Sequence, residues 1–180
     1  MATTIQRLDG VYTLDRNHST FQFAVRHLTI ATFRASFADI DARLIAEEGE
    51  LALEAHALAE SVSISAPDFR EHVVRGADFF EADAHPAITF RSTCVELADD
   101  GSAIVAGELT VRGVTQPVTA YGKHEQPTED PYGNTRVGLE LRAIVDRRNW
   151  EMNWQAPLPD GGDALGWDVE LSAQLELIRA

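Results

Sequence analysis

Apolar and polar residues alternate with period two along most of this chain, and that alternation predicts its elements. In "WDVELSAQLELIR", Trp167, Val169, Leu171, Ala173, Leu175 and Leu177 share one face while Asp168, Glu170, Ser172, Gln174 and Glu176 share the other, as a half-buried antiparallel strand requires. The pattern recurs in "VGLELRAIV", "AITFRSTCV", "IVAGELTVRG" and "ELALEAHAL". In "STFQFAVRHL" it places Phe21, Phe23, Val25 and His27 on one face, so that an apolar face ends in an imidazole.

Between Thr32 and Ala46 the phase slips. Phe33, Ala35 and Phe37 are odd-numbered, whereas Ile40, Ala42 and Leu44 are even. A bulge or sharp bend near Ala38 to Ile40 restores one buried face. Turn chemistry at "ADDGS", "RGVTQP", "TEDPYGN" and "LPDGGDALG" separates the runs. About eight strands at this spacing predict an all-β antiparallel barrel or sandwich.

One segment departs from alternation. In "SISAPDFREHVVRGADFFEADAHP", Ser65 with Asp68 three positions on has capping-box spacing, Pro67 suits a first helical turn, and Gly76 marks the end. A second short turn through Ala77 to Asp83 is halted by Pro86. Phe69, Val73, Phe79 and Phe80 give this helical insertion an apolar side that must pack on the strands.

The 180 residues fit one domain, taken as residues 1–180, long enough to bury a core without disulfides or metals. Lys+Arg 15 against Asp+Glu 29 gives a net charge of −14, which argues against nucleic-acid and membrane-surface roles. Cys94 is the single cysteine, so neither an intrachain disulfide nor a thiolate cluster is available, as suits a reducing cytoplasm. No apolar run reaches the length of a membrane span or of a secretory signal core. A cytoplasmic protein is the expectation, and its barrel flanks are compatible with a homodimer.

Candidate chemistry is sparse. The histidines are scattered, and no zincin pair, nucleophile elbow, P-loop or dinucleotide fingerprint occurs. Cys94, two positions beyond Ser92 in the phase of Ile88 and Phe90, is expected to be a buried, inert thiol. No catalytic group, metal ligand or cofactor is assigned. His27 has two readings: a core histidine satisfied by backbone, or a polar contact at one end of a bound ligand. The aromatic residues likewise fit a solid core or the wall of a cavity.

Three motifs together resemble the YceI-like family of polyisoprenoid-binding proteins. "YTLDRNHSTFQFAVRHL" is similar to its opening strand through Asp15, His18, Ser19 and His27. "FREHVVRGADFFEADAHPAITFRS" resembles its helical insertion through Arg70, His72, Phe79, Phe80, Pro86, Phe90 and Ser92. "GELTVRGVTQPV" resembles its G-x-L-T-x-x-G-V-T signature through Gly107, Leu109, Thr110, Gly113, Val114 and Thr115. The late Arg-x-Asp-Phe-Gly segment is altered here: Asn149 stands for the acid, Trp150 for Phe and Glu151 for a Gly able to take positive φ. Family members are exported, a compartment not carried over to this chain.

The resemblance implies a lipocalin-like antiparallel barrel whose cavity binds an isoprenoid, an isoprenoid quinone or a similar long-chain amphiphile without transforming it. The expected tail contacts are Phe21, Phe23, Val25, Phe37, Phe80, Phe90, Leu109, Leu139, Trp150 and Trp167. His27, Arg70, His72 and Arg147 are the candidates for a polar end. Two rivals remain at this stage: a cavity enzyme such as an isomerase or cyclase using His27, and a partner-binding barrel with a filled core.

Overall fold

A computed structural model describes residues 8–180. Ten strands form one antiparallel sheet: β1 Gly10–Leu14, β2 Thr20–His27, β3 Ala31–Phe37, β4 Ile40–Glu47, β5 Glu50–Leu58, β6 Ala87–Leu97, β7 Ser102–Val111, β8 Val114–Glu129, β9 Thr135–Asp146 and β10 Leu165–Arg179. One helix, α1 Pro67–Arg75, lies between β5 and β6. The order β1-β4-β5-β6-β7-β8-β9-β10 closes through a β1–β10 pairing, and the β2–β3 hairpin continues from β10. The barrel has eight staves rather than ten, because β1 runs on into β2 and β3 into β4, each a single stave broken once. The ring closes where β1 meets β10, while β3 ends the sheet and has only the Phe37–Val62 bridge on its outer edge among the described residues.

Both breaks have local causes. β1 and β2 pair with the same strand, through Leu14↔Leu177 and Thr20↔Gln174, and the chain loops out over Asp15–Ser19 between them. Ser19 Oγ closes that loop by accepting from Glu176 N (2.9 Å) and donating to Glu176 O (3.3 Å). The second break falls at Ala38 and Asp39, where the phase slip in the sequence requires it. Phe33 and Phe37 face the interior before it, and Ile40, Ala42 and Leu44 are buried after it. Ala38 N donates to Ser61 O (3.0 Å) at the bend.

Two expectations change. α1 starts at Pro67 with Ala66 as its N-cap and no side-chain cap, so Ser65 does not close a capping box with Asp68. Pro67 removes one of the amide donors that a cap would satisfy. Cys94 is exposed, because β6 is irregular between Ser92 and Cys94 and gives one more residue than β7 there. That bulge returns Val95, not Cys94, to the interior, where it packs on the core.

The core has two parts. Tyr12, Leu44, Leu53, Val105, Leu139 and Leu177 fill the end closed by β1 and β10. Val73, Val74, Phe79, Phe80, Val111 and Trp150 pack the helical insertion onto the other end. No helix among the described residues is long and apolar enough to cross a membrane.

Candidate functional site

Between these two clusters lies a cavity of about 640 Å³. Its wall is almost wholly carbon, from inward-facing residues of the staves and from α1. Phe23 stands at the centre of an aromatic group, with ring centroids 6.1 Å from Phe33, 5.8 Å from Phe37 and 6.0 Å from Phe80. Trp150 offers its ring to the void while its Nε1 donates to Leu109 O (3.0 Å), so its polar handle is satisfied outside the apolar space. Gly107 faces the interior beneath Phe90, and a Cβ there would meet the Phe90 ring at 2.5 Å. Glycine at this position of the signature lets that ring lie across the strand.

Of the expected tail contacts, Phe21, Phe23, Val25, Phe37, Phe80, Phe90, Leu109 and Trp150 line the cavity. Leu139 does not: it is buried in the closed-end cluster. Trp167 does not either, and the reason is a bulge. β10 runs from Leu165 to Val169 while β2 runs only from His27 to Val25, and the two extra residues take Trp167 out of the inward phase. Its ring lies instead against two guanidinium groups, 4.2 Å from Arg147 and 4.8 Å from Arg148. Phe33, Val73, Phe79 and Trp154 are among the further residues of the wall. Phe33 was legible as part of the odd phase; Trp154, in an irregular loop, carried no periodic signal.

The polar candidates separate in the same way. His27 and His72 both line the cavity and are exposed, so they stand at its rim. His27 makes no side-chain hydrogen bond among the described residues and is not a satisfied core histidine. With Ala31 and Phe69, which are also exposed and cavity-lining, they mark a mouth between the β2–β3 turn and α1. Phe69 crosses it to meet Phe33 at 5.6 Å, edge to face. Arg70 lies outside the lining and donates to Glu60 O. Arg147 does line the cavity, but it is 5% exposed and its guanidinium is engaged. Nε donates to Gly166 O (2.8 Å), Nη1 to Met152 O and Nη2 to Leu165 O (3.2 Å). Burial lowers its pKa from the ordinary arginine value, opposed by the nearby Asp146 and Asp163 carboxylates.

A residue not anticipated from sequence ties the insertion to the barrel. Arg112 and Gly113 form the two-residue β7–β8 turn, with φ of 52° and 72°. From that turn Arg112 donates to Trp150 O (3.2 Å), Glu151 O (2.6 Å), Ala77 O and Glu81 Oε2 (3.1 Å). Glu151 itself takes φ of 59°, so the turn that glycine would favour is retained without glycine. At the closed end, Arg136 bridges Asp15 (2.8 Å), Glu176 and Asp130 (2.7 Å). Its hydrogen bond, followed by that of His18, holds Asp15 at about 2. Asp15, His18 and Glu176 lie close enough to hold a cation, and the Arg136 guanidinium already meets the two carboxylates.

Residues 12–177 match the YceI-like domain model. A UPF0312 protein of Staphylococcus aureus strain MSSA476 is 29% identical over 171 residues, spanning 92% of this chain and 95% of that protein. A UPF0312 protein of strain USA300 is 28% identical over the same span. Among solved structures, Burkholderia cenocepacia BcnA superposes with a TM-score of 0.74 at 16% identity, covering 91% of this chain and 98% of its own. A polyisoprenoid binding domain from Saccharophagus degradans gives 0.72 at 13% identity, covering 94% and 98%. With residues 12–177, nearly the whole sequence, matched by that family model, the chain belongs to the YceI-like family.

Proposed function

We infer that this protein binds and carries a long-chain apolar molecule, an isoprenoid or isoprenoid quinone being the best fit, and does not transform it. The observation that carries this reading is the carbon-lined cavity of about 640 Å³ opening at His27 and His72. At ~30 Å³ per chain carbon, about the volume of a water molecule, that space takes ~20 carbons. Removing such a tail from water is worth ~0.8 kcal/mol per CH₂ before the costs of association. The cavity counts against the filled-barrel alternative. The catalytic alternative lacks an oriented acid–base pair, since His27 has no hydrogen-bonded partner among the described residues. In this reading Phe21, Phe23, Val25, Phe37, Phe80, Phe90, Leu109 and Trp150 hold the tail. His27 and His72 meet the polar end at the rim. A cytoplasmic setting belongs to the same reading and draws its support from the lone free thiol.

The test is native mass spectrometry of the purified protein beside titration with prenyl alcohols, quinones and fatty-acyl compounds. Retention of a lipid, or saturable uptake of one of these classes, is expected. A barrel that purifies empty and accepts none of them would sink the carrier reading.

A further inference from the structure

The charge of this chain is unevenly spread. No Asp or Glu lies between Asp15 and Asp39, the longest carboxylate-free run in a sequence with 29 of them. That run is the β2–β3 hairpin at the cavity mouth. Arg26 and Arg34 on the hairpin form no ion pair among the described residues, and both are exposed. Arg26 bonds only within the hairpin, to Thr29 O and to Thr32 Oγ1 (3.3 Å).

The turn itself has an unusual composition. Leu28 and Thr29 hold φ of 51° and 58°, left-handed positions that favour glycine or asparagine, and a β-branched residue is strained there. Ile30 beside them is 81% exposed. Across the mouth Phe69 is 43% exposed. A turn serving only to connect two strands in water would be expected to use polar or small residues. Here an apolar tip stands at the rim of an apolar cavity with unpaired cations behind it.

We propose that the β2–β3 hairpin docks the cavity mouth onto a lipid bilayer bearing anionic headgroups. Ile30 enters the acyl boundary, Arg26 and Arg34 meet the headgroups, and the acidic remainder of the molecule turns away, which orients the approach. The neighbouring loop carries Asp160 and Asp163, and α1 across the mouth carries exposed Asp68 and Glu71 beside Phe69, so the hairpin and not the whole rim makes the contact. The net charge alone argued against a membrane surface; its distribution reverses that argument for this one face. Transfer of cargo between bilayer and barrel without passage through water would follow, and that consequence rests on the carrier reading, whereas docking does not.

The experiment is flotation with phosphatidylcholine vesicles and with mixed phosphatidylcholine/phosphatidylglycerol vesicles, at low and high salt. Wild type is expected to float with the mixed vesicles and to be released by salt. Ile30→Glu and Arg34→Glu should each weaken binding about tenfold or more with unchanged thermal melts. Tyr132→Glu, on the β8–β9 loop and 89% exposed in the parent, should bind as wild type. Failure of wild type to bind mixed vesicles, indifference to phosphatidylglycerol, or equal binding by all three variants overturns the proposal. Uptake of the fluorescent polyene trans-parinaric acid, measured without vesicles, keeps the two readings apart. Uptake without flotation defeats docking alone, and hairpin-dependent flotation by a barrel that purifies empty and takes up neither this probe nor any prenyl alcohol or quinone defeats the carrier reading alone.

Discussion

Replacing Arg147 by lysine separates two roles that this side chain could have, holding a ligand's polar end or holding the wall of the cavity. The guanidinium reaches three carbonyls from a planar fork and lies 4.2 Å from the centre of Trp167. Lysine keeps the charge but concentrates its donors on one nitrogen, which cannot span the same acceptors. Leu165 O would retain a partner in Gln155 Nε2 (2.8 Å). Of Gly166 O and Met152 O the ammonium can serve one. A part-buried carbonyl left unpaired costs about 1–3 kcal/mol, and the lost stack on Trp167 about 0.5–2 kcal/mol, so Arg147→Lys should destabilise by roughly 1.5–5 kcal/mol. With a urea slope of about 2 kcal/mol/M, the midpoint should fall by about 0.8–2.5 M. Titrated with a tail ligand well below that midpoint, the folded variant should bind within about twofold of wild type. An unchanged midpoint together with a loss of about tenfold or more in affinity would refute the reasoning, because the guanidinium would then serve the ligand and not the carbonyls.

Three further outcomes are expected. Ser65→Ala should change stability by less than about 0.5 kcal/mol, since Ala66 and Pro67 start α1 without a side-chain cap; a loss of about 1 kcal/mol or more in a denaturant melt would restore Ser65 as a cap. The Asp15 carboxylate sits at about 2 against an ordinary value of 3.8 because Arg136 and His18 favour its charged form. A depressed carboxylate contributes stability that is fully present above the ordinary value and lost as pH falls through the folded one, so denaturant midpoints should drop between about pH 4 and pH 2. Asp15→Asn should make that drop shallower, and an identical acid profile would place the titration elsewhere. Phe23→Arg, which sets an unpaired cation among Phe33, Phe37 and Phe80, should abolish lipid retention in native mass spectra and lower the melting temperature; retention at wild-type levels would move the cargo out of this part of the cavity.

Alternation by itself determined most of the strands and, away from bulges, which face of each is buried, because a period-two pattern has only one register that removes its apolar set from water; β8, Val114–Glu129, ran through residues that read as turn and loop. Hence β2, β9 and β10, the bend at Ala38 and Asp39, and the inward Phe21, Phe23, Val25 and His27 were all legible from the residues. The positions that escaped this logic are those where the ladder gains residues. Cys94 and Trp167 follow the inward phase on paper, yet the irregularities after Ser92 and Leu165 turn both away. In β6 the phase slips from Ile88 and Phe90 to Val95 and Leu97, as it does near Ala38, whereas in β10 Trp167 keeps the odd phase of Val169 and Leu171 and only the pairing with β2 reveals the extra residues. Contacts remote in sequence were equally closed to it: Arg112 reaching from a turn to Trp150 and Ala77, and Arg147 engaged by carbonyls of β10, depend on which loops the barrel brings together. Whether the aromatic interior is solid or hollow was decided only by the tertiary structure, because a pattern specifies which side chains face inward but not whether their volumes fill the space that closure of the ring encloses.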